Sequence, residues 1–271
     1  MHRRYFHADS RTISYFDSAP AASTAPVVVL LHAFPLGAAM WEGQAKALPE
    51  GWRLLAPDFR GFGGSTLHEP DEHPAIDDYA MDVIDLLREL GAESAVVGGL
   101  SMGDYVTLAL LRRAPGLARA VVLADTRAGA DSSEGRANRR SMLALLEREG
   151  PSGVARDMMP KLLGTTTLHE RSEVEPLVRR LIKQQSPDAI RGAVLRMMQR
   201  PDSFALVKAL TVPVLILVGD EDVLTPVEES RKLLAENPKA ELVVLARSGH
   251  LANLERPDAF NDALRAFLGR L

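Results

Sequence analysis

A serine between two glycines stands where a strand pattern passes into a helix pattern. The segment Gly99-Leu100-Ser101-Met102-Gly103 follows an apolar run at Ala95–Val97 and opens a helical pattern at Met102–Arg113. In that context a G-x-S-x-G segment makes a sharp turn that raises the serine hydroxyl above the carboxyl edge of a sheet. The amino terminus of the helix beneath the turn favours negative charge there. The pattern therefore predicts Ser101 as a nucleophile.

A serine hydroxyl is a weak nucleophile until a base takes its proton, and His250 fits the role of that base. The chain has seven histidines, and five of them stand in polar or terminal stretches: His2, His7, His68, His73 and His169. His32 ends a strand pattern. His250 follows a late strand pattern, and the catalytic order on this kind of scaffold is serine, acid, histidine. Position and order together predict His250 as the general base.

The acid that orients the histidine is expected between Ser101 and His250, at the end of a strand. Asp222, just after the apolar run Val214–Val218, fits best. Its task is to accept the imidazole N–H and to stabilise the imidazolium that forms. Asp220 lies closer to the strand and is the turn-forming alternative, and Asp125 is the other rival.

An oxyanion that forms at Ser101 needs backbone donors. One expected donor is the amide of Met102, the residue after the nucleophile, and the other comes from the loop after the first long strand. Within that loop, His32-Ala33-Phe34-Pro35, we expect the Phe34 amide to donate and the Phe34 side chain to form part of the pocket wall.

Strand and helix patterns alternate along most of the chain. Most of the strand patterns are continuous apolar runs, which is typical of a parallel sheet with helices on both faces. They lie at 27–31, 53–56, 95–97, 120–124, 214–218 and 241–246, and the helical patterns lie at 40–48, 76–90, 102–113, 227–236 and 259–268. Interleaved polar and apolar residues from Tyr5 to Phe16 predict a hairpin at the sheet edge.

The alternation stops between 127 and 205, where the patterns are helical and charged. This stretch holds 14 Lys and Arg against 10 Asp and Glu, and five of the nine methionines. We predict an α/β core at 1–126 and 206–271 and a helical cap at 127–205. Methionines at helical spacing are either core filler or a flexible pocket lining. The residues expected to contact substrate are Phe34, Met142, Met158 and Leu251.

Composition excludes several classes of protein. The chain has 271 residues, a net charge of −4, 46% hydrophobic and 25% charged residues, and no cysteine. These values argue against a disordered chain and against a nucleic-acid binder, and they exclude disulfides. No apolar run reaches the roughly 20 residues that a membrane helix needs. We expect a cytoplasmic protein, monomeric or homodimeric, without membrane or nucleic-acid partners, and without metal or other cofactor.

Five segments carry a resemblance to a known family: VVLLHAFP, DFRGFGGS, GLSMG, GDEDVLTP and SGHLANLE. In their order and spacing they resemble the α/β-hydrolase superfamily, in particular the esterase and lactonase group that includes 3-oxoadipate enol-lactonase and the cofactor-free haloperoxidases. The resemblance implies a mostly parallel eight-stranded sheet with helices on both faces and a helical cap. It also implies Ser101, Asp222 and His250 as catalytic triad, with the Phe34 and Met102 amides as oxyanion hole.

Two positions depart from the family pattern. The family's His-Gly is His32-Ala33 here, and the small residue that often follows G-x-S-x-G is Asp104. We expect the Ala33 methyl to shift the oxyanion loop slightly, and the Asp104 carboxylate to place negative charge near the oxyanion.

The function that this resemblance implies is hydrolysis of small carboxylic esters or lactones through an acyl-enzyme. Two alternatives keep the same scaffold. One is perhydrolysis or C–C bond hydrolysis by the same triad, and the other is a ligand-binding signalling protein.

Overall fold

A computed structural model describes residues 2–8, 11–20, 23–66 and 74–271. The strands are β1 (His2–Ala8), β2 (Arg11–Asp17), β3 (Val27–Leu31), β4 (Arg53–Pro57), β5 (Ala95–Leu100), β6 (Ala118–Ala124), β7 (Val214–Gly219) and β8 (Glu241–Leu245). They form one sheet in the order β1-β2-β4-β3-β5-β6-β7-β8. The hairpin β1–β2 and the pair β2–β4 are antiparallel, and all other pairs are parallel. The predicted eight-stranded, mostly parallel sheet with an edge hairpin is confirmed.

The central strands are apolar because both of their faces are covered. Every residue of β3, β4, β5 and β7 is buried. The edge strand β8 differs, since Glu241 and Val244 are exposed while Leu245 is buried. Continuous burial in the middle of the sheet explains why unbroken apolar runs located these strands correctly.

The helices are α1 (Glu42–Ala47), α2 (Ile76–Glu89), α3 (Met102–Arg113), α4 (Ser133–Leu162), α5 (Thr165–Glu170), α6 (Val174–Lys183), α7 (Pro187–Gln199), α8 (Phe204–Ala209), α9 (Val227–Glu236), α10 (Ala252–Glu255) and α11 (Pro257–Leu268). Short 3₁₀ turns at Ala38–Trp41 and Pro115–Leu117 complete the set for the described chain. The bounds of α3 and α9 agree with the sequence prediction. Helix α11 begins two residues earlier than predicted, because proline is well suited to the first helical turn.

Five helices, α4 to α8, connect β6 to β7. Helix α4 is interrupted at Gly150, whose φ of 62° is not helical, and Pro151 follows directly. Helix α7 is tied to α2 by a hydrogen bond of 3.1 Å from Arg196 Nε to Asp78 Oδ2. Helix α8 crosses the predicted boundary at 205 and packs against α3 and α9. The division into core and cap remains a prediction, but α8 associates with core helices.

None of the helices in the described ranges is long and apolar enough to cross a membrane.

Candidate active site

Ser101 occupies a strained turn between β5 and α3. Its φ of 56° and ψ of −111° lie in a region that residues with a side chain rarely adopt. The turn is held by its backbone, since the Ser101 amide donates to Ala124 O at 2.9 Å and Thr126 Oγ1 donates to Ser101 O at 3.1 Å. The side chain stays partly exposed. Ser101 therefore lies at the carboxyl end of β5, where the motif predicts it.

The two glycines of the motif permit the backbones at this turn to pack closely. A Cβ on Gly103 would lie 2.1 Å from Leu31 O, and a Cβ on Gly99 would lie 2.6 Å from Gly103 C. Both distances are far below van der Waals contact, so any side chain would push α3 away from β3 and β5. The glycines are thus required by packing beneath the serine.

His250 is paired with Asp222. The distance from His250 Nδ1 to Asp222 Oδ2 is 2.8 Å, and both side chains are buried. Burial acts to raise the pKa of Asp222, but the charge and hydrogen bond of His250, together with the hydrogen bonds from Thr225, outweigh it and lower the pKa to about 2. An ionised Asp222 keeps the proton on Nδ1, which leaves Nε2 able to accept a proton.

The loop after β7 is shaped around the Asp222 carboxylate. Oδ1 accepts from the amides of Leu224 at 2.8 Å and Thr225 at 2.9 Å, and Oδ2 accepts from Thr225 Oγ1 at 2.6 Å. These bonds fix the acid before any substrate arrives, which is the pre-organisation that a proton relay needs.

The hydrogen-bond partners of the three candidate aspartates distinguish Asp222 from Asp220 and Asp125. Asp220 Oδ1 accepts from the Arg247 amide at 2.6 Å, so Asp220 closes a turn. Asp125 Oδ1 accepts from the Gly219 amide at 2.8 Å. Burial and then the nearby charge of Asp222 raise the pKa of Asp125 well above its usual value. Of the three candidates, only Asp222 contacts His250.

Glu255 holds the loop that carries His250, and the sequence analysis missed this residue. Its carboxylate accepts from the amides of Gly249 at 3.0 Å and Leu251 at 3.0 Å, which flank His250, and from Gly164 at 2.8 Å. Glu255 has no exposed surface. Its position five residues after His250 is visible in the sequence, but an acidic residue at that spacing does not by itself indicate an amide acceptor.

One cavity of about 460 Å³ contains both reactive groups. Ser101 and His250 line it, and Thr225 lies beside them. Within the described chain, the Ser101 hydroxyl and the His250 ring do not form a hydrogen bond with each other. Such contacts are often long without substrate and shorten when it binds. The structure therefore brings the three predicted catalytic side chains to one place, with the acid–base pair already formed.

The two predicted oxyanion donors are buried and unpaired. Phe34 is 4% exposed and Met102 is fully buried. In the part of the chain that the structure describes, no group accepts a hydrogen bond from either amide. Buried amides without an acceptor are rare, which favours a site where a ligand oxygen completes the bonding. The loop also contains a cis peptide bond between Phe34 and Pro35.

His32 supports this loop as a neutral ring. Its Nδ1 donates to Ala33 O at 3.1 Å, and its Nε2 accepts from the Phe59 amide at 3.1 Å. Complete burial lowers the pKa of His32 to about 4, although the charge of Asp58 and the bond to Ala33 act in the opposite direction. The Ala33 amide donates to Met40 Sδ at 3.2 Å. His32 therefore has both ring nitrogens occupied and is unsuited to act as a base.

The unusual Asp104 is fully buried. Burial raises its pKa well above the usual value, and hydrogen bonds from the amides of Ala124 and Gly99 act against that shift. Ala124 N lies 2.7 Å from Oδ2, while Oδ1 has no partner among the described residues. A raised pKa favours the neutral form, so the expected negative charge near the oxyanion is reduced.

Three of the four predicted substrate contacts line the cavity: Phe34, Met142 and Met158. Leu251 does not. It is fully buried just before α10, its amide donates to Glu255 at the end of that helix, and its side chain packs in the core instead. The methionines were predicted to be either core filler or pocket lining, and Met158 is both, since it is buried with the core cluster and also lines the cavity. Met197, another methionine of the stretch 127–205, also lines the cavity. Sequence reasoning missed other lining residues, among them Tyr105, Arg127, Leu145 and Leu224.

Among the described residues, no group of three or more His, Asp or Glu side chains is placed to hold a metal ion. The Ser101 hydroxyl and the oriented His250 ring line the cavity, and the Phe34 and Met102 amides beside them in the chain have no acceptor among the described residues, a set of groups that suits acyl transfer.

Comparison with known proteins places the chain in a family. A family model described as alpha/beta hydrolase family matches residues 28–263. The chain therefore belongs to the alpha/beta hydrolase family, as its motifs predict.

Individual relatives span nearly the whole chain. A thermophilic esterase from Thermogutta terrifontis, in a structure with malate bound, is 34% identical with a TM-score of 0.91 and coverage of 100% of this chain and 99% of that one. An enol-lactonase from Burkholderia xenovorans is 25% identical with a TM-score of 0.88, and the match covers 98% of this chain and 100% of that one. The putative carbamate hydrolase RutD of Agrobacterium fabrum is 27% identical, covering 90% of this chain and 93% of the relative. The predicted resemblance to the esterase and lactonase group is confirmed.

Proposed function

We propose that the protein hydrolyses small carboxylic esters or lactones, with Ser101 as nucleophile, His250 as general base and acid, and Asp222 as the residue that orients His250. The observation that carries the proposal is the 2.8 Å contact between His250 Nδ1 and Asp222 Oδ2, with His250 lining the same cavity as Ser101. The esterase and enol-lactonase among the relatives support the same class of substrate.

The first half of the reaction transfers the acyl group to the enzyme. Ser101 Oγ attacks the carbonyl carbon while His250 Nε2 takes its proton, and the carbonyl oxygen becomes an oxyanion that accepts from the Phe34 and Met102 amides. Asp222 stabilises the imidazolium. The tetrahedral intermediate collapses, the C–O bond to the alcohol breaks, and His250 gives its proton to the departing oxygen.

The second half uses water. His250 Nε2 takes a proton from a water molecule as the water oxygen attacks the acyl-enzyme carbonyl. The second intermediate expels Ser101 Oγ, which recovers the proton from His250, and the carboxylic acid leaves. For a lactone, the alcohol and acid belong to one ring-opened product.

The test is turnover of p-nitrophenyl acetate and p-nitrophenyl butyrate by the purified protein and by Ser101→Ala. We expect repeated turnover by the wild type and a loss of roughly 10³-fold or more in Ser101→Ala, since removing a member of a triad leaves only binding and oxyanion stabilisation. Circular dichroism controls for folding. A folded wild type without turnover, or a Ser101→Ala variant as active as the wild type, would refute the proposal.

A further inference from the structure

The charges on the cavity wall do not cancel. Three cationic side chains line the cavity, Arg127, Arg139 and Lys161, against two acidic ones, Asp131 and Asp157. Arg139 Nε lies 3.2 Å from Asp131 Oδ2, and Lys161 Nζ lies 2.8 Å from Asp157 Oδ2. In the described ranges, Arg127 forms no ion pair. Asp131 Oδ1 also lies 2.7 Å from Arg200 Nη1, so both acidic side chains of the wall are already paired with cations other than Arg127.

Arg127 is half-buried and held in place by the loop of the proposed acid. One end of its guanidinium, Nη2, donates to Leu224 O. Its Nε is buried and has no hydrogen-bond partner among the described residues. A donor that has lost water without gaining an acceptor costs free energy, and more so when it is charged. The guanidinium of Arg127 is thus oriented by the bond from Nη2, while its Nε lacks a hydrogen-bond acceptor among the described residues.

Part of the wall of the same cavity is apolar. Phe34, Met142, Leu145, Met158 and Leu224 offer hydrocarbon and sulfur surface. Asp222 does not line the cavity, and its carboxylate oxygens accept hydrogen bonds from His250 and from the Leu224–Thr225 loop. An anion entering the cavity would therefore find, at Arg127, a half-buried cation without an ion pair among the described residues, and a charge-assisted hydrogen bond to a partly desolvated cation is strong.

We propose that Arg127 binds a carboxylate of the substrate, so that the preferred substrates are anionic esters or lactones, with a short hydrocarbon spacer between the carboxylate and the reacting carbonyl. The guanidinium fork matches a carboxylate geometrically. This inference rests on the proposed function, because the carboxylate is recognised in the cavity where Ser101 reacts.

Two esters that differ only in charge test the inference. Mono-p-nitrophenyl glutarate and p-nitrophenyl pentanoate share a leaving group and have similar acyl length, but only the first has a free carboxylate. We expect the wild type to have the higher kcat/KM on the glutarate ester. In Arg127→Met the ratio of the two kcat/KM values falls about 10- to 100-fold, as for loss of charge-assisted hydrogen bonds. Arg127→Lys keeps the positive charge but not the planar guanidinium, and we expect its ratio of kcat/KM values to lie between those of the wild type and Arg127→Met.

Arg140→Met is the matched control. Arg140 is exposed on α4 and does not line the cavity, so its removal changes the net charge of the protein without changing the wall. We expect the ratio of kcat/KM on the glutarate ester to kcat/KM on the pentanoate ester to stay the same in Arg140→Met as in the wild type. Competitive inhibition by free glutarate gives an independent measurement, and its inhibition constant should rise by a similar factor in Arg127→Met only.

The outcomes separate this inference from the proposed function. If the wild type hydrolyses the pentanoate ester as well as or better than the glutarate ester, the inference is overturned, and this holds even if Arg127→Met fails to fold. An unchanged ratio in folded Arg127→Met also overturns it. Absence of turnover on both esters, in a folded protein, refutes the proposed function instead.

Discussion

The bond between His250 and Asp222 is the residue-level feature on which the proposed chemistry depends. Three aspartates follow strands between Ser101 and His250, and their residue type and spacing alone leave all three possible. The structure separates them by their partners: Asp220 accepts from Arg247 N, Asp125 accepts from Gly219 N, and Asp222 accepts from His250. Such partners come from distant parts of the chain, so sequence patterns could favour Asp222 but could not exclude its rivals.

Substitution of each aspartate by asparagine tests this assignment. We expect Asp222→Asn to lower kcat/KM on p-nitrophenyl butyrate by roughly 10³- to 10⁴-fold, because the amide no longer holds the productive tautomer or stabilises the imidazolium. Asp220→Asn keeps an acceptor oxygen for Arg247 N and should stay within about threefold of the wild type by the same argument. Steady-state kinetics on the folded variants measure both.

The assignment would be wrong if Asp220→Asn or Asp125→Asn lost activity to the same extent as Asp222→Asn, or if Asp222→Asn kept wild-type rates.

At the scale of elements, the contact of α3 with β3 and β5 places Ser101. Gly99 and Gly103 permit that contact, since a Cβ on either would overlap backbone atoms. The sequence could predict this turn because the motif, the strand and the helix are adjacent in the chain. It could not delimit the helices between β6 and β7, where charged residues and the break at Gly150 obscure the periodicity.

Two glycine-to-alanine variants test the packing role. Gly103→Ala places a methyl 2.1 Å from a backbone oxygen of β3, which cannot rotate away. We expect a loss of about 3 kcal/mol in the free energy of unfolding, at the upper end for overpacked sites. Gly43 is exposed on α1, and no atom lies within 4 Å of a Cβ built on it, so Gly43→Ala should be neutral or stabilising by up to about 1 kcal/mol.

Urea unfolding followed by circular dichroism compares the two variants. Wild-type stability in Gly103→Ala would show that the close approach of α3 to β3 is not required.

At the scale of the whole molecule, burial of a neutral histidine links stability to pH. The folded pKa of His32 is about 4, below its ordinary value of 6.5, because burial disfavours the charged ring. A depressed folded pKa means that the unfolded chain binds more protons between these two values. The stability that His32 contributes is therefore fully present above about pH 6.5 and is lost as the pH falls toward 4.

The variant His32→Asn removes this titration. The shift corresponds to about 3 kcal/mol of stability that the wild type loses between pH 6.5 and 4 and that the variant does not lose. His32→Asn is expected to be less stable at pH 7 but less sensitive to acid. Unfolding free energies of both proteins at several pH values test the difference in slope, and equal slopes would contradict the account.

The cavity is also a property of the whole molecule. Its wall combines the loops after β3, β6, β7 and β8 with the start of α3 and with helices α4 and α7. The sequence correctly assigned Phe34, Met142 and Met158 to that wall. It wrongly assigned Leu251, whose side chain is buried in the core, and it did not predict Arg127 as a lining residue. Side-chain direction in loops follows from tertiary hydrogen bonds, such as those of Glu255, which no local pattern encodes.

The most direct test of the central claim is the site of covalent labelling by a fluorophosphonate, which reacts with an activated serine. Intact-protein and peptide mass spectrometry should find one adduct per chain on Ser101, none in Ser101→Ala, and much slower labelling in His250→Ala. A folded wild type that remains unlabelled, or an adduct on a residue other than Ser101, would contradict the account.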